Sequence, residues 1–223
     1  DGSAGDLVQT ARLPGILQMP QRRVVVRDVL TGGTMGGNAL EYVQETGFTN
    51  NADMVAEFGK KPQSSLKFDV KSTSAKVIAH YMKASRQILD DAPQLRSIID
   101  GRLRHGLKLK EEDQLLNGDG QGQNLHGLLP QANTFAHPTS LAGYTIIDQL
   151  RLAALQVALA EFDATGFVIN PKDWAEIELM KDSLGRYIIG NPQGTISASL
   201  WNLPVVATQA MAPKNFITGA FDM

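Results

Sequence analysis

The chain has 223 residues, 43% hydrophobic and 20% charged, which is enough apolar surface for one real core or two modest ones and excludes a disordered chain. It contains no cysteine, so a disulfide framework, a thiolate zinc site and a cysteine nucleophile are all excluded, and a reducing compartment is the simpler setting. Lys plus Arg is 21 against Asp plus Glu at 23, a formal net charge of −2, so any contact with DNA is expected to be weak or spatially confined.

Asp1 to about Gln21 is punctuated by Gly and Pro and follows neither a helical nor a strand period, which predicts an extended arm that gains order only by lying on something else. The opening lacks Met and a charged-then-apolar leader, so no signal peptide is expected and the end reads as processed. Val24–Leu30 is β-branched and reads as a strand; after the Gly-rich break Thr31–Asn38, Leu40–Glu45 and Ser65–His80 read as two more. Together the last two predict a projecting hairpin. Its tip, Asn50–Ser65, holds Phe58, Gly59, Lys60, Lys61 and Pro62 and is unsuited to a core.

Ser85–Leu89 has short helical character. Asp90 and Asp91 ahead of Pro93 then form a helix-start signal, and Leu95, Ile98, Ile99, Leu103 and Leu107 keep helical spacing to about Leu116. Such a helix would be roughly 35 Å long. The run NGDGQGQ, Asn117–Gln123, ends it. Because a helix and not a strand precedes these glycines, they predict a C-terminal cap turn instead of a phosphate cradle, and Asp119 as sole carboxylate excludes a calcium loop. Beyond it, helices over Ile146–Phe162 and Pro171–Lys181 alternate with strands at Gly166–Asn170, Tyr187–Ile189, Leu203–Thr208 and Phe216–Gly219. This predicts a mixed α/β domain from about residue 124 and an α+β chain overall.

Chemistry-bearing motifs are sparse. His80, His105, His126 and His137 are scattered without metal-ligand spacing, and no nucleophile elbow, Walker sequence or kinase signature occurs. Glu111, Glu112 and Asp113 sit at the helix end where the dipole disfavours carboxylates, and read as a solvated or inter-subunit salt-bridging face. No catalytic residue, cofactor or metal is expected. The longest apolar runs, such as Leu152–Leu159, fall far short of a membrane span of roughly 20 residues, so no membrane contact is expected.

Several strings carry a family resemblance: NALEYVQETGFTNNADMVAE (Asn38–Glu57), KP (Lys61, Pro62), IAHYMKASRQILDDAP (Ile78–Pro93), LKEE-x-QLLNGDG (Leu109–Gly120), VINPKDW (Val168–Trp174) and LWNLPVV (Leu200–Val206). In this order, and over nearly the whole chain, they resemble the major capsid proteins of tailed, lambdoid bacteriophages and prophages of the Hong Kong 97 type. The resemblance implies an α+β capsid fold divided into an N-terminal arm and first strand (1–30), an E-loop hairpin (31–80), a P-domain with a long spine helix (81–123) and an A-domain (124–223). It implies a structural, non-enzymatic protein that forms homo-pentamers and homo-hexamers of an icosahedral shell around double-stranded DNA, without sequence specificity, assembled in the bacterial host cytoplasm alongside a portal and a maturation protease.

Some members of that family crosslink autocatalytically, through an isopeptide bond between an E-loop lysine and a P-domain asparagine assisted by a glutamate. Lys61, followed by Pro62, matches that lysine; the asparagine and glutamate belong to the family's segment after the string FDM, where this sequence stops. Glu45 and Arg102 match positions near contacts between subunits. Two other readings share parts of the pattern: an encapsulin-type nanocompartment enclosing enzyme cargo, and a small metabolic α/β enzyme, which the lack of a catalytic constellation disfavours.

Overall fold

The computed structural model describes residues 17–84, 93–137, 139, 143–190 and 198–222. Most of the arm expected over Asp1–Gln21, the helical stretch Ser85–Leu89 and the Asp90–Asp91 cap lie outside these residues. The chain divides into two compact units, Gly32–Val77 and the residues on either side of it.

The smaller unit is a hairpin of two antiparallel strands, β1 (Ala39–Thr49) and β2 (Ser65–Ser74), paired from Ala39 opposite Ser74 to Thr49 opposite Ser65. The register shifts between Glu45 and Gly47, where β1 carries one residue more than β2. Apart from half-buried Gly47, every strand residue is exposed, so backbone pairing rather than a core holds the ribbon. β2 is shorter than the expected Ser65–His80 because β1 begins opposite Ser74; one further bond, from the Ala75 N–H to the Asn38 carbonyl, closes the base.

In the other unit, the strand expected over Val24–Leu30 is instead a single 3-10 turn at Val26–Val29. The physical reason is the partner: the Val25 and Val26 N–H groups donate to the Glu112 carboxylate, and the Asp28 and Leu30 N–H groups turn back on Val25 and Arg27 carbonyls. Among the described residues no strand pairs with this segment. Helix α1 (Pro93–Asn117) follows the expected span. Its first half keeps Leu95, Ile98, Ile99 and Leu103 half-buried, whereas Glu112, Gln114 and Leu116 in its last turns are buried. The glycine-rich run then caps it: the Gly118 N–H reaches the Gln114 carbonyl, the Gln114 side chain accepts from the Leu125 N–H at 2.9 Å, and Gly127 returns to the Gly118 carbonyl.

A short helix, α2 (Leu128–Gln131), which the periodicity did not predict, leads to α3 (Ile146–Leu159), started by a Thr145–Asp148 capping box. β3 (Gly166–Ile169) is buried at every position. Asn170 caps α4 (Pro171–Glu178), with Pro171 in its first turn. The chain continues through β4 (Ser199–Leu200), β5 (Leu203–Ala207) and β6 (Phe216–Gly219). The expected strand Tyr187–Ile189 reduces to one bridge between Tyr187 and Lys181. β4 and β5 are joined by Trp201 and Asn202, both at positive φ (53° and 64°), the backbone pattern of a tight two-residue hairpin turn.

The sheet order is β4-β5-β3-β6, with β3 parallel to β5 and antiparallel to β6. Alternation along β3 sends Phe167 and Ile169 to one face, where they pack with Leu150 and Ala154 of α3 and Trp174 and Ile177 of α4. Val168 faces the other way and packs with Leu116 of α1, Met211, Ile217 and Phe221. The end of the long helix is therefore part of the sheet's core. A Cβ added to Gly118 would lie 2.2 Å from the Leu125 carbonyl oxygen and 2.5 Å from that of Gln114. Gly118→Ala is accordingly expected to cost about 1–3 kcal/mol, read as a lower denaturant midpoint, because both contacts are with backbone.

Candidate functional site

Sequence alone placed the Glu111–Glu112–Asp113 cluster on a solvated or inter-subunit salt-bridging face, and for Glu112 the structure corrects this to a buried pair within the chain. Glu112 is fully buried. One carboxylate oxygen accepts from the Val25 N–H at 3.0 Å, the Val26 N–H at 3.4 Å and the Thr208 hydroxyl at 3.1 Å. The other is ion-paired with the Arg22 guanidinium. A carboxylate so placed ties the segment Arg22–Val26, the long helix and the end of β5 into one joint. Its burial is tolerated because a cation and three donors replace the lost hydration. The Arg22 Nε is itself buried without a partner, a cost the joint carries.

The neighbouring acids serve the same region more weakly. Glu111 pairs with Arg27 at 3.0 Å on the surface, and Asp113 with Lys110 at 2.8 Å. The hydrogen bond from Lys110, followed by that from Asn117, holds the Asp113 carboxyl below its ordinary value of 3.8. Three acids at a helix C-terminus oppose the dipole; each having its own cation offsets this.

The VINPKDW string proves architectural. The Asn170 amide donates to the Met211 carbonyl at 2.6 Å and its oxygen accepts from the Lys172 N–H, while Asp173, also buried, accepts from the Lys214 N–H at 2.7 Å. These bonds fix the loop that leads into β6. An apolar groove between α3 and β6, lined among others by Leu128, Phe135, Val157, Phe162, Phe216 and Phe221, presents no converging acid, base or nucleophile. Among the described residues no group of three His, Asp or Glu could hold a metal ion, and no helix is long and apolar enough to cross a membrane.

The hairpin presents the opposite chemistry. Val43, Phe48, Leu66, Phe68 and Val70 are all more than half exposed, and at the tip Met54 and Phe58 are almost entirely so. The tip is nevertheless shaped: the Asn51 amide donates to the Gln63 carbonyl at 2.7 Å and the Gly59 N–H to the Ala56 carbonyl at 2.9 Å. Lys60 and Lys61 both stand exposed there. Glu45 is exposed on β1, opposite Phe68, and Arg102 on α1 donates to the Met19 carbonyl at 2.7 Å. Glu45 and Lys61 thus lie in the hairpin unit and Arg102 in the other.

A shaped hairpin with exposed apolar residues, in a chain whose other unit has its own core and, among the described residues, no catalytic cluster, fits a protein whose surfaces are made for other chains. Residues 4–223 match the phage capsid family. The chain belongs to that family. It is 50% identical over 221 residues to the major capsid protein of Enterobacteria phage HK97, covering 99% of this chain and 57% of the relative, so the chain spans little more than half of that protein's length. Its fold is that of solved phage-type capsids. The capsid of a native GTA particle superposes with a TM-score of 0.77 at 18% identity, covering 99% of this chain and 81% of that one. A structure from Microbacterium phage Oxtober96 gives 0.75 at 15% identity, with 97% and 76% covered. The Hong Kong 97-type fold expected from the sequence is the fold observed.

The Glu112 joint escaped sequence reading, although three acids at the unfavourable end of a helix were a signal that donors must be recruited from elsewhere. Removing the carboxylate with Glu112→Ala leaves Arg22 without its counter-charge and is expected to cost about 3 kcal/mol in denaturant unfolding. Breaking the exposed Arg27–Glu111 pair by Glu111→Ala is expected to cost under about 1 kcal/mol. A second check uses pH. Because its folded-state value is lowered, Asp113 contributes stability that is present above 3.8 and is lost as pH falls through the lower folded-state value. Asp113→Asn should remove this acid-side slope in unfolding measured across that range.

Proposed function

We propose that this chain is the shell-forming portion of a phage major capsid protein, which assembles with copies of itself as pentamers and hexamers into an icosahedral head around double-stranded DNA. The match to the capsid family over residues 4–223 carries this reading. The hairpin supports it: two strands with exposed apolar side chains are marginal alone and gain stability when a neighbouring subunit covers them. The net charge of −2 suits a container whose wall must not hold its DNA tightly. In this reading the segments 1–30, 31–80, 81–123 and 124–223 serve as arm, E-loop, P-domain and A-domain, the portal and maturation protease are further head partners, and the protein resides in the virion after assembly in the host cytoplasm. Electron microscopy of the complete protein tests it; closed shells are expected, and discrete small oligomers under all assembly conditions would refute it.

Two finer assignments belong to the same proposal. Glu45 pairs with Arg102 of an adjacent subunit, so Glu45→Arg impairs assembly and Arg102→Glu in the same protein partly restores it; a double variant no better than either single one counts against the pair. Lys61 is the crosslinking lysine. Its neutral amine attacks the side-chain carboxamide carbon of an asparagine, ammonia leaves, and a glutamate accepts the amine's proton. Lys60 lacks the following proline and is not the nucleophile. Matured shells of the complete protein are expected to give covalent ladders on denaturing gels that vanish in Lys61→Ala; ladders unchanged by that substitution would sink the assignment.

A further inference from the structure

The hairpin has two chemically different faces, and one inserted residue sharpens the difference. Residues directly opposite in an antiparallel pair share a face, and side chains two apart along a strand share it too. Val43 opposite Val70 and Glu45 opposite Phe68 therefore lie together with Glu41 and Ser72. Under strict alternation Phe48, five residues beyond Val43, would emerge on the other side. The register shift between Glu45 and Gly47 adds one residue to β1 and places Phe48 opposite Leu66, on the face of Phe68 and Val70. A Cβ added at Gly47 would come within 3.9 Å of the Lys67 side chain, which puts Gly47 and Lys67 together on the opposite side. The bulge thus adds Phe48 to Val43, Leu66, Phe68 and Val70 and completes one stripe accompanied by two carboxylates, Glu41 and Glu45. The other face holds Leu40 and Tyr42 near the base, and then Gln44, Lys67, Asp69 and Lys71.

We infer that the face bearing Val43, Phe48, Leu66, Phe68 and Val70 is the one laid against a second copy of this chain, and that the bulge around Thr46 selects it. The inference rests on the shell-forming reading and deepens it. The five apolar side chains are 54–69% exposed, too much apolar area in one stripe for a surface facing only water. Charge selects a second copy as the occupant. Glu41 and Glu45 require cations beside an apolar surface, and the first half of α1 offers half-buried Leu95, Ile98 and Ile99 at helical spacing with Arg102, next to exposed Arg96. The opposite face sets two lysines, Lys67 and Lys71, against a single carboxylate, Asp69, and so lacks that complementarity to the same surface.

Hydroxyl-radical footprinting of the complete protein, dissociated and assembled, tests the inference. Phe48, Leu66 and Phe68 are expected to lose at least about fivefold in oxidation rate on assembly while Tyr42 changes less than twofold. Equal protection of both faces, or protection of Tyr42 with Phe68 left reactive, would overturn it. Assembly yield supplies a second arm. Phe48→Ser with Phe68→Ser, and separately deletion of Thr46, should abolish shells, whereas Tyr42→Ser with Lys71→Ser should retain them. Circular dichroism of the unassembled variants checks that the main unit stays folded; shells formed normally by the Phe48 and Phe68 double variant would sink the assignment even if the Thr46 deletion fails to fold. Wild-type protein that never self-associates would overturn the shell reading itself, whereas wild-type shells with the wrong face protected would overturn this inference alone.

Discussion

A single buried carboxylate decides how the larger unit holds together. Glu112 reaches residues 90 positions before it and 96 after it, so one side chain joins the segment Arg22–Val26, the long helix and the sheet. A backbone ladder does not do this, since Val25 and Val26 have no strand beside them among the described residues and their N–H groups turn to the carboxylate instead. The carboxylate substitutes for a strand, and the 3-10 turn at Val26–Val29 follows from that substitution. Around the joint, Leu116 enters the same apolar cluster as Val168 and Ile217, so the helix end and the sheet share contacts that neither could complete alone.

The hairpin answers to a different constraint. It has paired strands and no core, a combination that stays marginal until something covers it. Exposed Phe, Leu and Val residues on a monomeric enzyme would be an aggregation liability; on a chain of the phage capsid family they fit the proposed role of surface kept for another subunit. The two units thus divide the work. One secures a fold through burial and a charged joint, and the other leaves its apolar area uncovered, which in the proposed shell would tie the stability of the hairpin to the state of assembly.

Similarity to solved capsids at 15–18% identity, with TM-scores of 0.75–0.77, shows how much sequence change this architecture tolerates. Such tolerance fits a core defined by apolar periodicity, where volume and pattern matter more than identity. Asn170 and Asp173 are of another kind, because each satisfies a particular buried backbone group of the loop before β6, and an apolar replacement leaves that group unpaired.

Local pattern was sufficient for much of this protein. Helical spacing from Leu95 to Leu107, the Asn117–Gln123 stop and the Pro171 helix start all depend on neighbours within a few residues and reappear in the structure at or near their expected bounds, and the strands flanking a polar tip reappear with the first longer and the second shorter than expected. The long ordered strings also pointed to the capsid family, because they span nearly the whole chain. What only the tertiary structure decided depends on partners distant in sequence. Val24–Leu30 looks like a strand until Glu112 captures its N–H groups, Glu112 looks solvated until Arg22 and Thr208 close over it, and Phe48 changes face through one inserted residue in β1. Burial, register and charge pairing are properties of two segments at once, and a period read along one segment contains only half of each.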